Sequence, residues 1–515
     1  MRIKRVTARR RAPRLVAAAA VLLVTACGSV VKAPPGFYEP GVAGAAGVPV
    51  APGAGVAAGP ALGGESATGT ASSGGSAPLS QTSGAVGSAS SGGAITGLAS
   101  GPASGPATGP IPPADGPGVT ATEIHIGIPV ASDTGSIYKS LGSSSGAPTA
   151  DEIQAQALAI VGYINAHGGA AGRHLVADFY LYSEGSGTFT SQGQEICEHF
   201  TKDDQVLLVL ATGNNTQTLA DCLAAAGVVL LDVGNSEIGD NQLLNALAPY
   251  YYRPFNANLD VFGTVIDTMV ADGVLKAGDR VGDIRFDLPQ YDRAMDDVIK
   301  PALARHGITL IDDYEYSYID SVADLGTSSA ETNNAILKFR TDDIDHVLLV
   351  GTQGVVPFFF MPAADSQNYH PVYVGSSMDI PGFMVVNVPA DQMANFYGLG
   401  WNVVYDLDWN GVFSHANIPQ WNQCIKIMGS TGTSVEGFSC DPYMFVAAAL
   451  NQATVVSASG FGNGVARLGT SFATGQTLSL NFRPGGTDGV GEAREFEYSA
   501  PCKCEVYTGP PVAIQ

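Results

Sequence analysis

From residue 123 onward, short unbroken apolar runs alternate with longer stretches whose apolar positions recur every three to four residues. Runs such as "VLLVLA" (206–211) and "HVLLV" (346–350) are what strands buried on both faces of a parallel sheet require. Eight strands are predicted on this basis: 124–130, 175–182, 205–211, 228–232, 280–286, 308–314, 346–350 and 372–375. Helical stretches lie between them, the clearest over 151–166. Thr149 and Glu152 form a capping box at its start, and Ala157, Ile160, Val161 and Ile164 form its apolar stripe. Gly168-Gly169 then stops the helix, and Gly172 turns the chain straight into a strand. Alternation of this kind predicts an α/β fold with doubly wound parallel sheets.

The pattern occurs twice. "DDQVLLVLATG" (203–213) leads through a helix to "VVLLDVGNS" (228–236), and "DDIDHVLLVGTQG" (342–354) leads through another to "PVYVGSS" (371–377). Each is an acidic pair, a buried strand, a turn, a helix and a strand ending in Gly-x-Ser. Two lobes on one βαβ plan are expected.

The front of the chain follows other rules. Residues 1–14 carry seven bases, and Leu15–Val24 is apolar and too short to span a bilayer, as in a secretory signal. Val24-Thr25-Ala26-Cys27 resembles the lipobox of bacterial lipoproteins, whose Cys receives lipid and becomes the new N-terminus. Residues 28–118 are almost wholly Gly, Ala, Ser, Pro, Thr and Val. Such a stretch buries too little apolar surface to offset its ordering entropy, so a disordered tether is expected. About 395 residues remain, enough for two domains.

The chain has 25 bases and 47 acids. Removing residues 1–27, with seven bases and no acid, leaves 18 against 47, a net charge near −29. Nucleic acid is excluded as a partner on that ground. The motifs of phosphate loops, zinc proteases and dinucleotide sites are missing from the sequence. "GSSSG" (142–146) fits a nucleophile elbow by letter only, having neither a strand before it nor a helix after it. "CKC" (502–504) has no His at ligand spacing. No enzyme activity, metal or cofactor is expected.

The order of these segments resembles the type I extracytoplasmic solute-binding proteins, the leucine/isoleucine/valine-binding kind that serve ABC transporters. The resemblance is carried by "IHIGIPVASDTG" (124–135) followed by "INAHGGAAGR" (164–173), and by the Ser/Thr-rich loop, helix and strand of 211–236. "RFDLPQYDRAM" (285–295) and "DPYMFVAAALNQA" (441–453) extend it, so that it spans nearly all of 122–500. It implies two Rossmann-like lobes, 119–253 with 400–480 and 254–399 with 481–515, joined by a hinge of three crossings near 253, 400 and 480. It also implies a monomeric receptor, held at the cell membrane by lipid on Cys27, that passes a small polar solute to an ABC permease. A sensory lipoprotein on the same fold is the alternative.

Ligands of open α/β sheets sit beyond the strand C-termini. The residues implied on the first lobe are Gly213, Asn215, Thr216, Gly234, Asn235 and Ser236. Thr216 has an alternative role as a plain helix cap. Tyr291, Thr352, Gln353, Ser377 and Asp379 are implied on the second lobe. Amino-acid-binding members place an acid shortly after the "VG" strand end, where this chain has Ser377, with Asp379 two residues on. Either Asp379 takes that role or the ligand is not an α-amino acid. The resemblance also implies a Cys197–Cys222 disulfide. Cys424, Cys440, Cys502 and Cys504 allow three pairings; the one taken is Cys424–Cys440, which leaves a tight Cys502–Cys504 loop.

Overall fold

A computed structural model describes residues 111–140, 148–213, 215–234, 237, 239–407, 418–429 and 439–514. The readings made for Cys27, for 28–110, for Asn235 and Ser236, and for 142–146 lie outside the described residues.

The predicted strands form, with four more, two sheets. The first contains β1 (Glu123–Ala131), β2 (His174–Tyr182), β3 (Leu208–Ala211), β4 (Val229–Asp232) and β5 (Tyr251–Tyr252), in the order β2-β1-β3-β4-β5, all parallel. The second contains β6 (Arg280–Phe286), β7 (Thr309–Tyr316), β8 (His346–Leu349), β9 (Val372–Ser376) and β10 (Phe396–Gly400). To these it adds β11 (Glu492–Ser499) and β12 (Cys504–Ala513). Its order is β12-β11-β10-β9-β8-β6-β7. The run β7-β6-β8-β9-β10 is parallel and repeats the plan of the first sheet, with β11 and β12 added antiparallel at the edge. The repeated segments are therefore β3–β4 and β8–β9, third and fourth in corresponding places of two lobes.

Alternation within each strand explains the burial. Ile124, Ile126, Ile128 and Val130 of β1, Leu208 and Leu210 of β3, and Val229 and Leu231 of β4 face one core. That core also receives Ala157, Ile160, Val161 and Ile164 of the helix Ala150–Ala166. Val209, Ala211 and Leu230 face the other way, onto the helices Phe189–Glu198 and Gln217–Ala225. Gly127 lies beneath the ring of Phe200, where a Cβ would stand 2.7 Å from it. The capping box at Thr149 and Glu152 is present, and Gly168 and Gly169 both have positive φ (108° and 71°). A Cβ on Gly169 would lie 1.9 Å from the Arg173 carbonyl oxygen, so the turn requires glycine.

Isolated backbone bridges pair segments that run between the two sheets: Arg253 with Asp488, Asn402 with Thr477, and Leu480 with Val490. Two boundaries differ from the sequence reading. Residues 111–118 belong to the folded body: Pro112 accepts from Arg173 Nη2 at 2.7 Å, Asp115 N donates to Val456 O, and Gly118 O accepts from His125 N. Backbone pairing holds them where side-chain composition gave no hint. The short helix Val403–Leu407 packs on the helix Pro381–Asn387 and on β12, beside the second sheet, because Asp406 anchors it there through Ser377 and Tyr507.

Cys197 is bonded to Cys222, Cys424 to Cys440 and Cys502 to Cys504. The first ties the two helices flanking β3, and the third closes the turn between β11 and β12. No helix among the described residues is long and apolar enough to cross a membrane.

Candidate functional site

Parallel strands within each sheet send their C-terminal loops to one side of that sheet, and loops of the two sheets meet at Thr190–Asp320 and Asp240–Arg293. On the first lobe Asp133 locks the loops after β1 and β2. Its carboxylate accepts from Ser183 Oγ (2.6 Å), Glu184 N (2.8 Å) and Gly185 N (3.0 Å). Burial would raise its pKa, but these donors hold it below the usual value. Thr134 donates to Glu184, whose pKa burial raises. Gly213 faces Glu184 and Tyr182: a Cβ there would be 3.6 Å from Glu184 Oε1.

Asn215 and Thr216 are both buried. Thr216 Oγ1 caps the helix Gln217–Ala225 by accepting from Leu219 N at 3.3 Å. Asn215 turns inward, its Nδ2 donating to Ala211 O (3.2 Å) and to the Asp232 carboxylate. Gly234 N donates to Asp232 at 3.1 Å. A Cβ on Gly234 would stand 2.4 Å from Thr212 O, so glycine is needed for the loops of β3 and β4 to meet. Glu237 accepts from Gln217 N, and burial, then Asp320 and Asp221, push its pKa up to about 7.

On the second lobe Tyr291 is fully buried. Its hydroxyl donates to Gly351 O (2.9 Å), and Gln353, held at positive φ (59°), hydrogen-bonds the same hydroxyl. Thr352 is bound to Asp379, its N and Oγ1 both donating to Oδ1 at 2.8 and 2.7 Å, while Ser376 N donates to Oδ2. Asp379 is fully buried, and burial raises its pKa to about 7 against those hydrogen bonds. Its carboxylate thus fastens the β8 loop to the β9 loop. Ser377 points into the hinge, donating to Asp406 (2.9 Å) and accepting from Trp401 N (2.8 Å) and Asn402 N (3.2 Å).

Tyr291 and Gln353 come together with Arg253, Glu237 and Asp379, all of which bear electrostatically on the Tyr291 hydroxyl. Arg253 lies at the first crossing, ion-paired through Nε to Asp232 at 3.1 Å, with both side chains fully buried. Burial opposes its charge, yet Asp232 and the hydroxyls of Tyr251, Tyr291 and Tyr405 hold it firmly protonated. The lobes also touch at the rim. Asp320, beyond β7, accepts from Thr190 N and Thr190 Oγ1, both at 2.9 Å, and its carbonyl accepts from Phe189 N. Arg293 grips Asp240 with Nη2 at 2.9 Å and Nε at 2.5 Å. These contacts join residues of the two sheets' loops.

Sequence reasoning missed Arg253, Asp232, Glu237 and Asp320. A signal existed for the first two: "VVLLD" ends a buried strand on an acid, and "YYRPF" sets one base among aromatics. Buried charges are found paired, so each sought a partner.

No family model matches the chain, and no curated protein matches it. Solved structures do. A fatty acid ABC transporter substrate-binding protein from Thermomonospora curvata aligns with TM-score 0.52 at 16% identity, covering 78% of this chain and 94% of that one. An ABC transporter substrate-binding protein from Aeropyrum pernix gives 0.55 at 11% identity, covering 77% and 97%. A solute-binding protein of an ABC transporter from R. palustris, in complex with benzoate, gives 0.53 at 13% identity, covering 76% and 98%. The chain has the fold of the type I periplasmic solute-binding proteins.

Proposed function

We propose that this chain is an extracytoplasmic solute receptor that captures a small polar molecule between its lobes and delivers it to an ABC permease. The ligand class is an amino acid, an amide or a related carboxylate. The observation that carries the reading is the rim: two lobes on one plan direct their strand C-termini into one crevice and meet across it at Thr190–Asp320 and Arg293–Asp240. Hinge closure over a bound solute uses contacts of this kind, and it needs no bond to be made or broken. The binding set comprises Gly213, Asn215, Thr216, Gly234, Asn235, Ser236, Tyr291, Thr352, Gln353, Ser377 and Asp379. Of these, Asn215, Thr352, Ser377 and Asp379 act by holding the loops in register. Lipid on Cys27 would keep the monomeric receptor at the membrane, with residues up to 110 as its tether.

A thermal-shift screen of the full-length chain against amino acids, amides, fatty acids, aromatic carboxylates and polyamines tests the reading. Binding by one class, weakened by Tyr291→Ala, supports it. No stabilisation by any class refutes it. Incorporation of labelled palmitate that Cys27→Ser abolishes tests the anchor separately.

A further inference from the structure

Buried polar atoms that lack partners gather around the first crossing, at Arg253, Asn215 and Asn256. Asp232 is satisfied by hydrogen bonds from Tyr251 Oη (2.8 Å), Gly234 N (3.1 Å) and Asn215 Nδ2, and it is ion-paired with Arg253 at 3.1 Å. Arg253 is not. Its Nε, Nη1 and Nη2 are all buried without a hydrogen-bond partner among the described residues, Nε having only the ion-pair contact with Asp232. The same holds for Asn215 Oδ1 and Asn256 Oδ1. These groups form one connected set: Asn256 Nδ2 donates to Gly234 O at 2.7 Å, and Gly234 N and Asn215 Nδ2 both donate to Asp232. Buried polar groups are almost always paired in folded proteins, and an unpaired guanidinium edge is among the costliest exceptions.

We infer that Arg253 is the ligand's anion anchor and that the solute carries a carboxylate. The inference rests on the receptor reading above. Asp232 lies on the Nε side of the guanidinium at 3.1 Å, and the two terminal nitrogens form a parallel pair of donors, the end-on geometry that matches the two oxygens of a carboxylate. Asp232 shares its charge among three hydrogen-bond donors as well as Arg253, which leaves the outer edge of the guanidinium electropositive. The acceptors Asn215 Oδ1 and Asn256 Oδ1 call for an N–H or O–H on the same ligand, close to its carboxylate. Tyr291, from the opposite lobe, bears electrostatically on the same guanidinium. Closure therefore brings a second-lobe hydroxyl up to the anchored head group. Because Arg253 lies on a crossing, its backbone bonded to Thr487 O and Gly489 N, the anchor sits where hinge rotation moves it least.

The test uses the full-length chain and matched probes: leucine, isovalerate, benzoate and octanoate, each beside its own primary amide. Affinities are measured by calorimetry in wild type and in Arg253→Gln. At least one acid should bind, with its amide weaker by about 30-fold or more, the scale on which a desolvated charge pair is lost. Arg253→Gln should weaken that acid by a similar factor and leave the amide within about threefold. Amides that match their acids in wild type overturn the inference without recourse to any variant, even if Arg253→Gln fails to fold. Acid binding unchanged in a folded Arg253→Gln also overturns it. In both cases the receptor reading survives, since a solute still binds. A chain that binds none of these probes but is stabilised by a polyamine or another cation in the wider screen overturns the anchor alone, and one that binds nothing at all overturns both.

Discussion

Removing the Asp320 carboxylate isolates the free energy of closure. In Asp320→Ala two hydrogen bonds are lost, from Thr190 N and Thr190 Oγ1 at 2.9 Å each, while the backbone bond from Phe189 N and the Arg293–Asp240 pair persist. Hydrogen bonds of this kind are worth about 0.5–1.5 kcal/mol each, so the pair at this solvent-facing rim contributes about 1–2 kcal/mol. Because both bonds join the lobes, the loss falls on the closed state alone. A shift of that size moves the open–closed balance by about 5–30-fold, and the apparent Kd of any ligand that binds by closure rises by the same factor. Calorimetry with a solute found by screening measures Kd. The global melting temperature should barely move, since neither core is touched. A Kd within about twofold of wild type would refute the reasoning. So would a further loss when Thr190→Val is added to Asp320→Ala, because the two substitutions remove the same side-chain bond.

Three further outcomes are expected. The disulfides close loops with sequence separations of 25, 16 and 2 residues, so loop-closure entropy ranks Cys197–Cys222 (about 3.5 kcal/mol) above Cys424–Cys440 (about 3) and Cys502–Cys504 (about 1); paired Cys→Ala variants in thermal unfolding should lose stability in that order. Burial raises Glu237, Asp379 and Asp406 to about 7 and Asp441 to about 6. The folded chain thus holds protons that the unfolded chain releases near pH 4, stability grows as pH falls from about 7.5 toward 5, and it is lost as pH rises through 6–7. Scanning calorimetry should find a higher Tm at pH 5.5 than at pH 8, and Asp406→Asn should flatten the difference; a Tm that rises with pH contradicts the assignment. Gly234→Ala should force the β3 and β4 loops apart, at a cost of about 1–3 kcal/mol in urea unfolding and with weaker ligand binding. An unperturbed variant would mean that the loops do not meet as described.

What the sequence determined by itself was the local grammar. Eight parallel strands were legible because runs such as Leu208–Ala211 must be apolar on both faces. The helix Ala150–Ala166 was legible because its cap, stripe and stop are all encoded within twenty residues. The doubling of the plan was legible because β3–β4 and β8–β9 repeat a pattern. The antiparallel strands β11 and β12 were not: Glu492, Glu495 and Glu497 in β11, and Pro510 and Pro511 in the edge strand β12, mask any strand signal. The residues that hold the lobes together were not legible either. Asp320 meets Thr190 across 130 positions and Arg293 meets Asp240 across 53, and no local period records such a meeting. Arg253 illustrates the division most plainly. Its sequence neighbours mark it as a buried cation in need of a partner. Only the crossing of the chain between two sheets decides that Asp232 pairs with the guanidinium while its terminal nitrogens find no acceptor among the described residues.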